Sequence, residues 1–228
     1  MACLPSQFSD LSPMDFKRTY FLSDWYDQEI HEEDVYGRFI MLYILDTGPF
    51  QLVLNKLNER IYKKYKIFMP LSLMEKAITK LAAEHKEINF NPESHLVSVT
   101  GKPAGAELFF KEFGDKYDDE SRILLKDLNA YLNKNSQPEI SLPRFTEILS
   151  QAKLAIVELP DRKHDTAPEI VAFFDWVFQT YSKTDGEIQI LLNKHLFSVI
   201  LFVYYANFKK NEDVHYLNQT ITIDTNIL

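Results

Sequence analysis

The sequence predicts a mainly helical α+β fold in which one small β-hairpin is set among helices. Three observations predict it. Apolar residues make up 46% of the 228 positions and aromatic residues 14%, ample for a packed core and too many for a disordered chain. Glycine is scarce, with 6 residues, whereas sharp turns, phosphate loops and many-stranded sandwiches all consume it. The apolar residues recur mostly at helical spacing, and period-two alternation is confined to short runs.

Residues 1–35 read as an acidic N-terminal arm, with two Lys/Arg against eight Asp/Glu. Its aromatics, including Tyr20 and Phe21, are expected to tuck onto the core and leave the acids, such as those from Glu29 to Asp34, in water. Residues 36–100 form the next unit. Val35 to Leu45 has helical spacing, and Thr47-Gly48-Pro49 ends it. A second helix is expected from about Phe50 to Tyr65, with Leu52, Val53, Leu57 and Ile61 as its apolar stripe. A third helix follows Pro70, where Ser72 and Glu75 match the capping-box spacing. Glu87 to Phe90 and Leu96 to Thr100 flank the turn-forming Asn91-Pro92-Glu93-Ser94 and predict a hairpin. Three helices followed by a hairpin is the order of a winged helix-turn-helix, so 36–100 is read as a winged-helix-like module.

Gly101 to Gly105 breaks both periods and reads as a linker. A multi-helix lobe is expected over 106–218. Its helices are predicted at Ala106 to Phe113, Asp118 to Asn133, Leu142 to Leu159, Pro168 to Tyr181 and Asp185 to Phe208. The helix after Pro168 is apolar nearly all round, which predicts either full burial or burial on one side with a subunit contact on the other; the second would make a homodimer through the helical lobe. Ile188 to Phe208 is long enough to raise the question of a membrane span, but Asn193, Lys194 and His195 interrupt it. A charge within a span costs about 2.5–3.5 kcal/mol, so a buried helix is the expectation and no membrane partner is.

Several chemistries lack their motifs. Cys3 is the only cysteine, which excludes an internal disulfide and a cysteine zinc site and fits a reducing, cytoplasmic setting. The first 20 residues lack a basic start followed by an apolar run. G-x-S-x-G, G-x-x-x-x-G-K-[ST], G-x-G-x-x-G and H-E-x-x-H are all missing. The chain is therefore expected to hold no complete active site and no cofactor of its own.

Charge is uneven within a net of −8. Residues 36–100 carry nine Lys/Arg and six Asp/Glu, the one stretch with a positive bias. Lys56, Arg60, Lys63 and Lys64 fall on the second helix with Lys66 just after it, and Lys76, Thr79 and Lys80 fall on the exposed face of the third. Such residues suit DNA or RNA phosphates. The segment is poor in the Arg, Asn and Gln that read base edges, so a scaffold face used for protein contacts is the competing reading. A winged-helix transcriptional regulator and a free-standing helical adaptor are the alternatives for the whole chain.

Ile221-Thr222-Ile223-Asp224-Thr225-Asn226-Ile227-Leu228 resembles the opening strand of PIN-domain nucleases. The layout before it resembles the N-terminal half of larger bacterial proteins that set a winged-helix-like and helical region before a PIN-like nuclease, some of them toxins or phage-defence proteins. The resemblance implies that 219–228 begins a further domain and that Asp224 is one of several carboxylates holding Mg²⁺ or Mn²⁺ for phosphodiester hydrolysis. It also implies that residues 1–218 are a regulatory or interaction region, itself not catalytic.

Overall fold

The computed structural model describes residues 17–24, 31–149, 168–182 and 186–206. They fall into two compact units, one within Gln28–Lys111 and the other joining 17–24 to the chain from Glu112 to Phe202. The described chain is mostly helical, with one three-stranded antiparallel sheet.

The first unit is built on α1, Glu32–Thr47. Glu32, Glu33 and Asp34 fill its first turn, where carboxylates face the positive end of the helix dipole. These acids are thus helical residues. Val35, Tyr36, Phe39, Ile40, Tyr43 and Ile44 are buried, which makes α1 a central helix. Gly48 ends it at φ 72°, its N–H donating to the Ile44 carbonyl at 2.9 Å. Glycine adopts that left-handed conformation without the steric cost a Cβ imposes.

The second predicted helix begins later than its apolar stripe suggests. Phe50–Val53 is a strand, β1, and α2 runs over Leu54–Tyr65. Burial alternates along Phe-Gln-Leu-Val, and the ladder to a distant strand outweighs local helical spacing. α3, Leu71–Glu84, packs against α1 and α2. β2, Ile88–Asn91, and β3, Leu96–Val99, form the expected hairpin. The sheet order is β1-β3-β2, with Phe50 and Ile88 both opposite Val99 and Val53 and Asn91 both opposite Leu96. Asn91 shapes the hairpin turn, its Oδ1 accepting from the N–H groups of Glu93 and Ser94.

The capping box at Ser72 does not form. Pro70 occupies the N-cap, its carbonyl accepting from the N–H groups of Leu73 and Met74, and α3 has no side-chain cap. Ser72 is already one residue inside the helix, out of position to cap it.

The helix α4, Ala106–Lys134, is continuous where a break around Gly114 was expected. Gly114 is buried, and an added Cβ would stand 3.0 Å from Cε of Lys17, whose ammonium pairs with Asp118. The glycine therefore admits a neighbouring side chain rather than ending the helix. Within the second unit, Leu124, Leu128 and Leu132 of α4 join Phe145 and Ile148 of the helical residues 142–149, here α5. Ala172, Phe173 and Trp176 of α6, Pro168–Tyr181, and Leu191, Leu192 and Leu196 of α7, Glu187–Ala206, complete that core. Tyr20 and Phe21, in a short 3₁₀ turn, are fully buried, as expected for arm aromatics. Among the described residues no helix is long and apolar enough to cross a membrane. Asp224 and the whole of 219–228 lie outside the described residues, as does the predicted helix beyond 149 as far as Leu159.

Candidate nucleic-acid interface

Helix α2 turns its apolar residues Leu54, Leu57 and Ile61 inward. At 100° per residue, that leaves Lys56, Arg60 and Lys63 on a single outward stripe with Lys64 beside it. All four are exposed. Their partners divide them. Lys56 pairs with Glu59 at 2.9 Å, an exposed pair one turn away. Lys64 pairs with Asp46, its ammonium also 5.6 Å from the Tyr65 ring centre. Arg60 and Lys63 have no ion pair among the described residues.

The α3 residues are less available. The Asp34 carboxylate hydrogen-bonds the Lys80 ammonium and holds it above the ordinary lysine range. The Thr79 hydroxyl donates to the Glu75 carbonyl at 2.7 Å, an internal helix contact. Lys76 is exposed, with no ion pair among the described residues. A groove of about 600 Å³ runs along α1, α3 and the start of α4. Its rim mixes Asp34, Arg38, Lys80 and Glu84, so it does not extend the cationic stripe. Arg38 lies over the Phe109 ring at 5.3 Å. The hairpin turn carries Glu93 and His95 and no Lys or Arg.

Three features beside the stripe have no signal in the residue spacing. Asn58 is 2% exposed, on the inner face of α2. Its Nδ2 donates to the Met69 carbonyl at 2.7 Å, and its Oδ1 accepts from the Met69 N–H at 3.1 Å. This two-sided clamp pins the connector 66–70 to α2. Ile67 and Met69 are buried by it, while Phe68 between them is half-buried and meets Tyr62 edge-on, 6.5 Å between ring centres. Tyr62 is 39% exposed. Lys66 closes α2 in the left-handed region, φ 63°, its N–H donating to the Tyr62 carbonyl at 2.8 Å. Arg60, Tyr62, Lys63 and Lys66 thus share one end of the helix.

The second unit holds a different constellation. His195 is fully buried, its ring centre 4.8 Å from that of Tyr20 and 4.9 Å from that of Tyr117. Its Nε2 stands 3.9 Å from a Glu120 carboxylate oxygen that also accepts from the Tyr20 hydroxyl. Burial first, and then the Glu120 carboxylate, raise the Tyr20 phenol above its ordinary value; burial and Asp118 do the same for Tyr117. On α6, Val171 and Phe178 are exposed two turns apart, on the face opposite Phe173 and Trp176. Among the described residues no three or more His, Cys, Asp or Glu side chains converge on a common point suited to a metal ion. No family model, no curated protein and no solved structure matches the chain.

Proposed function

We propose that the unit containing α1 to β3 is a winged-helix-type module that binds nucleic acid through phosphate contacts from α2 and Lys76. The element order helix-strand-helix-helix-strand-strand and the sheet order β1-β3-β2 support the module assignment. One observation carries the binding reading: Arg60 and Lys63 stand exposed on one stripe with no carboxylate partner among the described residues. Cations already paired gain little from a phosphate, whereas free ones release condensed counterions from it. The test is fluorescence anisotropy of labelled DNA and RNA at two salt concentrations. Binding is expected at low salt, with affinity falling steeply as salt rises, and R60E/K63E should abolish it. Silence of every probe at low salt would leave the stripe a solvated surface.

In the wider reading, this region serves a PIN-like nuclease and presents nucleic acid to it, supported by the resemblance of Ile221 to Leu228. Asp224→Asn should then abolish Mg²⁺- or Mn²⁺-dependent cleavage by the intact protein and leave nucleic-acid affinity unchanged. Self-association through α6 is a second reading, favoured by Phe178 at 65% exposure. Light scattering of the wild type against F178E tests it, and an unchanged monomer mass in both would remove it.

A further inference from the structure

We propose that the ligand of the α2 surface is single-stranded nucleic acid, one of whose bases stacks on Tyr62 while Arg60, Lys63 and Lys66 hold the adjoining phosphates. This rests on the nucleic-acid reading above and narrows it to a substrate class. Duplex reading requires a helix whose exposed face offers base-edge donors and acceptors. The exposed side chains of α3 are Leu71, Ser72, Lys76, Thr79, Lys80, Ala83 and Glu84, with no Arg, Asn or Gln among them. Of these, Lys80 is bound to Asp34 and Thr79 to its own helix, and Glu84 repels phosphate. The turn between β2 and β3 spends Asn91 on its own backbone and exposes Glu93. Neither element is furnished for a groove.

The end of α2 is furnished for a strand. Single-strand sites combine cations that track the backbone with an aromatic face on which any base can lie. Tyr62 supplies the face, Lys63 follows it in sequence and Lys66 closes the helix one turn on, with Arg60 farther round on the stripe, and Phe68 stands edge-on against the ring. The Asn58 clamp fixes the connector, the connector fixes Phe68, and Phe68 meets Tyr62 edge-on. A ring so held loses little freedom when a base lands on it. Lys66 adds a second mark. Its left-handed backbone is the conformation in which glycine is the ordinary choice, yet the position carries a cation.

The experiment uses the full chain and labelled probes of ~12 nucleotides, within the span such sites cover: oligo(U), oligo(dT) and a mixed-sequence duplex. Either single strand should bind at least tenfold more tightly than the duplex. Tyr62→Ala should weaken single-strand binding by roughly tenfold, the loss of one stacked base, with duplex binding unchanged. Tyr62→Phe should keep the affinity, and circular dichroism should show both variants folded. Preference for oligo(U) over oligo(dT) or the reverse reports the 2′-hydroxyl or the thymine methyl and leaves the inference standing. Duplex bound as well as or better than single strand, or single-strand binding indifferent to folded Tyr62→Ala, overturns the single-strand inference while the nucleic-acid reading stands. No binding to any of the three removes both.

Discussion

Asn58 shows how one polar side chain decides a local structure. It lies among Leu57 and Ile61, where spacing alone calls for an apolar residue, and its amide matches both backbone groups of Met69. Asn58→Ala would leave a buried N–H and a buried carbonyl without partners, at a cost of about 2–3 kcal/mol, read as a lowered midpoint in urea denaturation. Nothing in the sequence marks the clamp, because its partner is backbone and backbone has no letter. The stripe of Lys56, Arg60 and Lys63 was legible, since side chains four and three apart share a helix face whatever the fold does. Which of those cations already have partners was not legible, because Asp46 and Asp34 reach Lys64 and Lys80 only across tertiary contacts. Lys66→Gly should raise stability by about 0.5–1 kcal/mol through relief of the left-handed backbone, partly offset by glycine's greater freedom when unfolded.

Among elements, the hairpin and the C-terminal end of α1 were readable from turn chemistry: Asn-Pro in one, Gly48 in the other. β1 was not, since four residues of mixed pattern acquire a strand's identity only from Leu96–Val99 opposite them. The two helices predicted at Ala106 to Phe113 and Asp118 to Asn133 are one, and Gly114 between them makes room for Lys17. That contact is with the far end of a flexible side chain, which can move aside. Gly114→Ala should therefore stabilise the helix, by up to about 1 kcal/mol of helix propensity. A lowered thermal midpoint would show instead that the position of Lys17 is rigidly held. α6 and α7 were readable as helices from their apolar density, but not which residues point inward. Trp176 is buried against Phe173, its Nε1 donating to Asp127 at 2.8 Å, and Trp176→Ala should cost about 3–5 kcal/mol in the core it shares with α4, α5 and α7.

At the scale of the whole molecule, one unit carries a built-in sensitivity to alkali. Tyr20 and Tyr117 are held protonated by burial in the unit that contains His195. A phenol whose folded pKa is raised contributes stability that is intact below the unfolded value of about 10 and drains away as pH climbs beyond it. Tyrosinate absorbance should thus show a late, cooperative step in which these two of the 12 tyrosines ionise only as their unit opens. Y20F/Y117F should remove that step from the absorbance titration and move the alkaline unfolding of the unit, followed by Trp176 fluorescence, to higher pH; an unchanged unfolding midpoint would show that the two phenols do not govern it. The chain has two tryptophans, Trp25 and Trp176, and residues 31–111 contain neither. With Trp25→Phe, red-edge excitation would light a lone indole in the lobe built around α6. The unit bearing the cationic stripe would stay dark, so the melting of the α6 lobe could be watched by itself.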